Sequence, residues 1–263
     1  MKDSTTGLIN SGGKLRLRML VLISICVLAA SGIVHGQNGK LSHEEIALKN
    51  LQWRAIGPAN MGGRIDDFAV VESNPAIFYV GAATGGLWKT TNAGTTFDPV
   101  FDGQGSTSIG DVCIAPSDPN VVWVGTGEPN NRQSSSWGDG VYRSLDGGAT
   151  WQNMGLRDSK HIGRVVIDPR DPNIVLAGTY DNSSAGPQRG VFKTIDGGKT
   201  WNKALFKDDK TGISDMCAAP DDVRIIYAAS YTFQFDPNNR GGIGSESQIF
   251  QIDRRRHDLA ATQ

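Results

Sequence analysis

A short pattern that recurs three times constrains this chain more than any other feature in it. Ser144–Trp151 reads SLDGGATW and Thr194–Trp201 reads TIDGGKTW, while Thr90–Phe97, TTNAGTTF, is a weaker copy with Asn92 in place of the Asp. Each copy follows a short aromatic segment: GLWKT, GVYRS and GVFKT. Asp-Gly-Gly is tight-turn chemistry, because glycine takes positive φ without a Cβ clash and the Asp side chain bonds backbone beyond it. The Thr-Trp that follows has the β-branched and aromatic character of a returning strand. Each copy therefore reads as strand, turn, strand. Asp146 and Asp196 hold the turn, Gly148 and Gly198 bend it, and Trp151 and Trp201 pack beneath it.

The copies sit inside a larger register. Ile65, Ile109, Ile162 and Ile213 each open an apolar strand: IDDFAV, IGDVCIAP, IGRVVIDP and ISDMCAAP. Ten residues later come Pro75, Pro119, Pro172 and, breaking the pattern, Val223. Second strands follow as continuous apolar runs, IFYVGAA, VVWVGTG, IVLAGTY and IIYAAS, the pattern of strands buried between layers. Four antiparallel strands per unit of this length describe a β-propeller blade. The fold expected is all-β, a propeller with about four blades over residues 63–230, the last unfinished, in a ring that is incomplete. A solenoid of hairpins is the alternative.

The flanks read differently. Residues 1–36 place Lys14, Arg16 and Arg18 before the apolar run MLVLISICVLAASGIV, the layout of a secretory signal peptide, with a single membrane anchor as the alternative. Cys26, inside that run, lacks the small residue before it that a lipoprotein site requires. The expected locale is periplasmic or secreted, with no stable membrane insertion after cleavage. Residues 37–62 form a lead-in, and residues 231–263 an aberrant tail. The run IDRRRHDL lies about where a fourth Asp turn is due, and a one-base shift of frame through CGN arginine codons would restore one. A net charge of −1 offers no basic surface for nucleic acid. Cys113 and Cys217 both stand four residues after their unit's first Ile, a whole blade apart, so they read as small buried hydrophobes rather than a disulfide.

The motif SxDxGxTW resembles the Asp-box, or bacterial neuraminidase repeat. The stretch from Trp53 to Ser230, through WRAIGPANMGGRI, GAATGGLWKTTNAGTTF, IAPSDPNVVWVGTGE and GVYRSLDGGATW, is similar to exported bacterial BNR-repeat glycosyl hydrolases and sortilin-like propellers. The resemblance implies a propeller that is the N-terminal part of a longer protein. It does not imply one activity, since such boxes occur in sialidases, xyloglucan-cleaving enzymes, sortilin receptors and photosystem assembly factors. A sialidase would carry Arg-Ile-Pro, for which Arg64-Ile65-Asp66 is the nearest match. The xyloglucanases carry their general base in a first-blade motif resembling TDVGGAYR. The corresponding stretch here, AATGGLWK, has Ala83 where that Asp would stand.

Inverting glycoside hydrolysis needs two carboxyl groups facing each other across the bond. Asp66, Asp67, Asp111, Glu128 and Asp139 are available, but sequence does not pair them, and no catalytic residue is assigned. The connections between second and third strands are long and polar: GEPNNRQSSSWGDG and YDNSSAGPQRG. Glu128, Asn130, Arg132, Trp137, Asp139, Tyr180 and Arg189 are the candidate binding residues, because aromatic faces with amides and carboxylates suit a glycan or a peptide. Ordinary solvated loop is the alternative. The carboxylate and amide groups of GTGEPNNR lack EF-hand spacing, and neither a metal nor a cofactor is expected. The leading reading is a noncatalytic exported propeller that binds glycan or protein. The alternatives are a glycoside hydrolase with its carboxylates in further blades, and an assembly factor.

Overall fold

A computed structural model describes residues 64–130, 135–180, 187–236, 239–243 and 247–254. The segments expected to be a signal peptide and a lead-in, and Arg132, lie outside them. All described regular structure is β, in four antiparallel sheets of four strands. The first holds β1 (Ile65–Val70), β2 (Phe78–Ala82), β3 (Gly86–Thr90) and β4 (Asp98–Pro99), hydrogen-bonded in that order. The second holds β5 (Ile109–Ala115), β6 (Asp118–Thr126), β7 (Val141–Ser144) and β8 (Gln152–Asn153). The third holds β9 (Ile162–Asp168), β10 (Asp171–Thr179), β11 (Gly190–Thr194) and β12 (Asn202–Leu205).

The fourth sheet departs from this plan. β13 (Thr211–Ala218) pairs with β14 (Ile225–Asp236), whose first half then pairs with β16 (Ile249–Asp253). The second half of β14 continues into a hairpin arm with β15 (Asn239–Ile243). The boundary expected at Ser230 thus falls inside β14. The third strand of the sheet comes from the segment read as an aberrant tail, because Ile249–Asp253 matches the register of Ile225–Ala229. By that register Ile252 occupies the place of Thr90, Ser144 and Thr194, so the hydroxyl on which the other turns are built is missing there.

Three apolar cores lie between consecutive sheets. Tyr79, Leu87 and Phe101 meet Ile109, Val112 and Val124 across the first interface. Trp123 and Val141 meet Ile162 and Val165 across the second, and Leu176 and Val191 meet Ile213 and Met216 across the third. One packing device repeats. Ile109, Ile162 and Ile213 each seat a side chain over a glycine of the preceding sheet, Gly81, Gly125 and Gly178. A Cβ added there would stand 2.7, 2.4 and 2.9 Å from the isoleucine Cγ2. Each such isoleucine, fully withdrawn from water, stabilises the stack by roughly 1.5–3 kcal/mol.

The recurring turns tie neighbouring sheets together. Ser144 Oγ donates to Asp146 Oδ1 (2.7 Å), and Asp146 accepts from the Thr150 backbone N–H (2.8 Å) and hydroxyl (2.6 Å). Thr194, Asp196 and Thr200 repeat this arrangement at 2.7, 3.0 and 2.6 Å. In the first copy Asn92 Oδ1 accepts from Thr96 N–H (2.9 Å), while its amide donates to the Thr96 hydroxyl (2.9 Å). Gly147 and Gly148 take φ of 66° and 87°, Gly197 and Gly198 74° and 91°. The indole N–H of Trp151 donates to Val100 O, and that of Trp201 to Met154 O, each at 2.7 Å and each in the preceding unit.

Cys113 and Cys217 are free thiols. Cys113 packs against the second core, and burial pushes its thiol up to about 12. Cys217 corrects the expectation of a buried residue. It is exposed, because no described element covers the outer face of the fourth sheet.

Candidate functional site

The antiparallel order places the β2–β3, β6–β7 and β10–β11 connections at one end of the stack and the recurring turns at the other. The described parts of the loop after β6 are pinned by hydrogen bonds. Gly127 N–H donates to Ser108 O (2.8 Å), Glu128 N–H to Ser136 O (3.1 Å), and Gly138 N–H to Lys160 O (2.8 Å). Ser106 Oγ donates to Trp137 O (3.1 Å), and Ser108 Oγ to Ser136 O (3.1 Å). The backbone on both sides of Trp137 is therefore held, yet its side chain stays 59% exposed. The Lys160 ammonium stands 4.2 Å from the centre of its ring. An exposed indole on a fixed backbone is an aromatic platform, ordered before any ligand arrives.

The other candidates separate into two groups. Asn130 is exposed, and its amide donates to Asp66 Oδ1 at 2.7 Å. Asp139 accepts from the Tyr142 hydroxyl at 2.6 Å and has Arg157 at 3.7 Å. These two lie with Trp137 on the long-loop end. Glu128, Tyr180 and Arg189 are instead buried. Glu128 forms an ion pair with Arg64. Tyr180 packs on Tyr231 with ring centres 5.7 Å apart, and Arg189 donates to Lys210 O. Each satisfies the fold rather than facing out.

A further polar cluster was not assembled from sequence. The first strand of each sheet carries a bulge beside its opening Ile, which turns the residue two places later toward its neighbour sheets. Those residues are Asp67, Asp111, Arg164 and Asp215. Arg164 reaches Asp215 at 2.7 Å, Asp111 at 2.9 Å and Asp67 at 3.8 Å. Asp67 also accepts from Val112 N–H of the next sheet (3.1 Å), and Asp111 from Val165 N–H (2.7 Å). Burial pushes the Asp111 carboxyl well above its usual range and Asp67 adds to this, against the lowering by Arg164 and Val165. Arg164 and Asp215 could have been found by reading two residues past each register Ile.

Asp66 stands beside this cluster. Burial pushes its carboxyl up to about 6, the Asn130 amide works in the opposite direction, and Asp67 raises it further. Ala83 is buried, with its carbonyl accepting from Ser108 Oγ at 2.6 Å. No group of three or more His, Cys, Asp or Glu among the described residues could hold a metal ion.

These features define a class: an all-β protein of propeller-type sheets, stacked in chain order, with a loop-bearing end carrying a fixed aromatic. No family model matches the chain. It is similar to a xyloglucanase from Paenibacillus sp, 25% identical over 139 residues, which are 48% of this chain and 13% of that protein. Among solved structures, an ancestral GH74 enzyme superposes with a TM-score of 0.58 at 20% identity, over 77% of this chain and 26% of its own. The GH74 enzyme of Niastella koreensis superposes with a TM-score of 0.52 at 19% identity, over 72% and 28%. The chain thus spans about a quarter of these solved relatives and less of the curated one. No helix among the described residues is long and apolar enough to cross a membrane.

Proposed function

We propose that this chain is an exported glycan-binding propeller module. Its ligand is a polysaccharide of the xyloglucan type, held on the long-loop end, and this chain does not hydrolyse it. The observation that carries the proposal is Trp137, 59% exposed on a backbone hydrogen-bonded on both sides. Apolar sugar faces stack on such rings, while Asn130 and Asp139 offer polar groups at the same end. The similarity to xyloglucan-cleaving propellers supports the ligand class. Ala83, where the base would stand, supports binding over cleavage.

One observation favours hydrolysis as a second reading. Asp66, with its carboxyl raised to about 6, is half protonated only near pH 6, and in mildly acidic solution has the character of a general acid. Gel affinity electrophoresis in xyloglucan, run beside an assay for new reducing ends, separates the two. The expected outcome is retarded migration that Trp137→Ala abolishes, with no reducing ends formed. Reducing ends that appear with the wild type and vanish with Asp66→Asn would replace binding by hydrolysis. Unretarded migration of the wild type would remove the glycan reading.

A further inference from the structure

One face of the Trp137 ring is already occupied. The Lys160 ammonium lies over it, 4.2 Å from the ring centre, close enough for the attraction between a cation and an aromatic face. The chain is built to bring it there. Ser159 and His161, on either side of Lys160, are buried, whereas the lysine side chain leaves the core and ends over the ring. The Lys160 carbonyl accepts the Gly138 N–H at 2.8 Å, which holds its main chain beside the residue that follows Trp137. Gly127 and Gly138 permit this approach, since a Cβ on Gly127 would overlap the Lys160 carbonyl and one on Gly138 the carbonyl carbon of Thr126.

We propose that Lys160 is the positioning residue of the aromatic platform: its ammonium holds the Trp137 indole in one orientation, and the sugar stacks on the opposite face. The proposal rests on the reading of Trp137 as a glycan platform. Hydrogen bonds fix the backbone around Trp137 but not its side-chain torsions, and with 59% of the residue in water, packing alone leaves the ring free to turn. A cation seated on one face removes that freedom before the ligand arrives, so less ordering is left for the binding step. It also leaves a single open face, so the indole stacks on one pyranose ring and from one side only. The charge is what matters in this role. Arginine keeps it and stacks on aromatic faces at least as well, whereas methionine keeps much of the apolar stem and loses the attraction.

The test is nuclear magnetic resonance of the full chain with labelled indoles and lysine side chains, free and with xyloglucan oligosaccharides. In the free wild type, relaxation of the Trp137 indole N–H is expected to match that of the rigid backbone, and the Lys160 Cε protons to lie upfield in the ring current. Lys160→Met should make the Trp137 indole mobile and lower oligosaccharide affinity about two- to fivefold. Lys160→Arg should restore both, and unmoved Trp151 and Trp201 signals show that each variant keeps the fold. On saturation of the wild type, the Lys160 Cε protons should stay upfield while the Trp137 signal shifts. A Trp137 indole as rigid in Lys160→Met as in the wild type overturns the proposal, and so does an arginine variant that restores nothing. Loss of the upfield position on saturation places the sugar on the lysine's face and overturns it too. A wild type that binds no oligosaccharide overturns the glycan reading and the sugar's place with it, whereas the free-protein comparison decides the positioning role by itself.

Discussion

Asp146 and Asp196 show how much one side chain determines at a turn. Each accepts a backbone N–H and two hydroxyls, and these bonds hold the carboxyl at about 2, below its ordinary 3.8. A depressed carboxyl contributes stability that is present above its unfolded value and lost as pH falls through its folded one. The thermal midpoint is therefore expected to fall between about pH 4 and pH 2. Asn92 shows that an amide can occupy the same place, so Asp146→Asn with Asp196→Asn should keep the turn and flatten that acid limb. An unchanged limb in the double variant, read by calorimetry across this range, would assign the acid sensitivity to other groups. The weaker copy makes a second prediction. Ala93 sits at a φ of 56°, in the left-handed region, where the other turns place glycine. Ala93→Gly is expected to raise stability by about 0.5–1 kcal/mol, read as a higher urea midpoint with unchanged slope.

At the scale of elements, the fold was legible because its parts repeat. The register isoleucines, the apolar second strands and the Asp turns each recur at matched offsets, and a repeat of that kind leaves few ways to bury every strand. The glycines at Gly81, Gly125 and Gly178 were equally visible, but their purpose depends on the isoleucine of another sheet. Gly125→Ala should cost about 1–3 kcal/mol by forcing Ile162 off its seat, measured as a lowered denaturant midpoint. Retained stability would mean that the sheets are not seated as described. The fourth sheet was read less well. Its third strand lies beyond a hairpin arm, so spacing along the chain did not lead to it, whereas pairing with Ile225–Ala229 did. The candidate site was legible only in part for a related reason. In sequence Glu128, Tyr180 and Arg189 have the same character as Trp137, and only the packing of Arg64, Tyr231 and Lys210 against them turns them inward. Residue type gave the chemistry of the loops but not the direction in which each side chain points.

For the whole molecule, the proposed account assigns the two ends of the stack different tasks. The Asp-turn end is structural, with carboxylates already committed to backbone and hydroxyl partners. The long-loop end carries the fixed aromatic and the exposed amide. Glycan binding on this plan requires no change in the sheets, since the backbone on both sides of Trp137 is already hydrogen-bonded. The most direct measurement is the set of indole N–H resonances of the isotopically labelled protein during titration with xyloglucan oligosaccharides. The account predicts a progressive, saturable shift of the Trp137 signal, while Trp151 and Trp201, hydrogen-bonded at the far end, stay in place. A Trp137 signal that does not move at saturating oligosaccharide would contradict it.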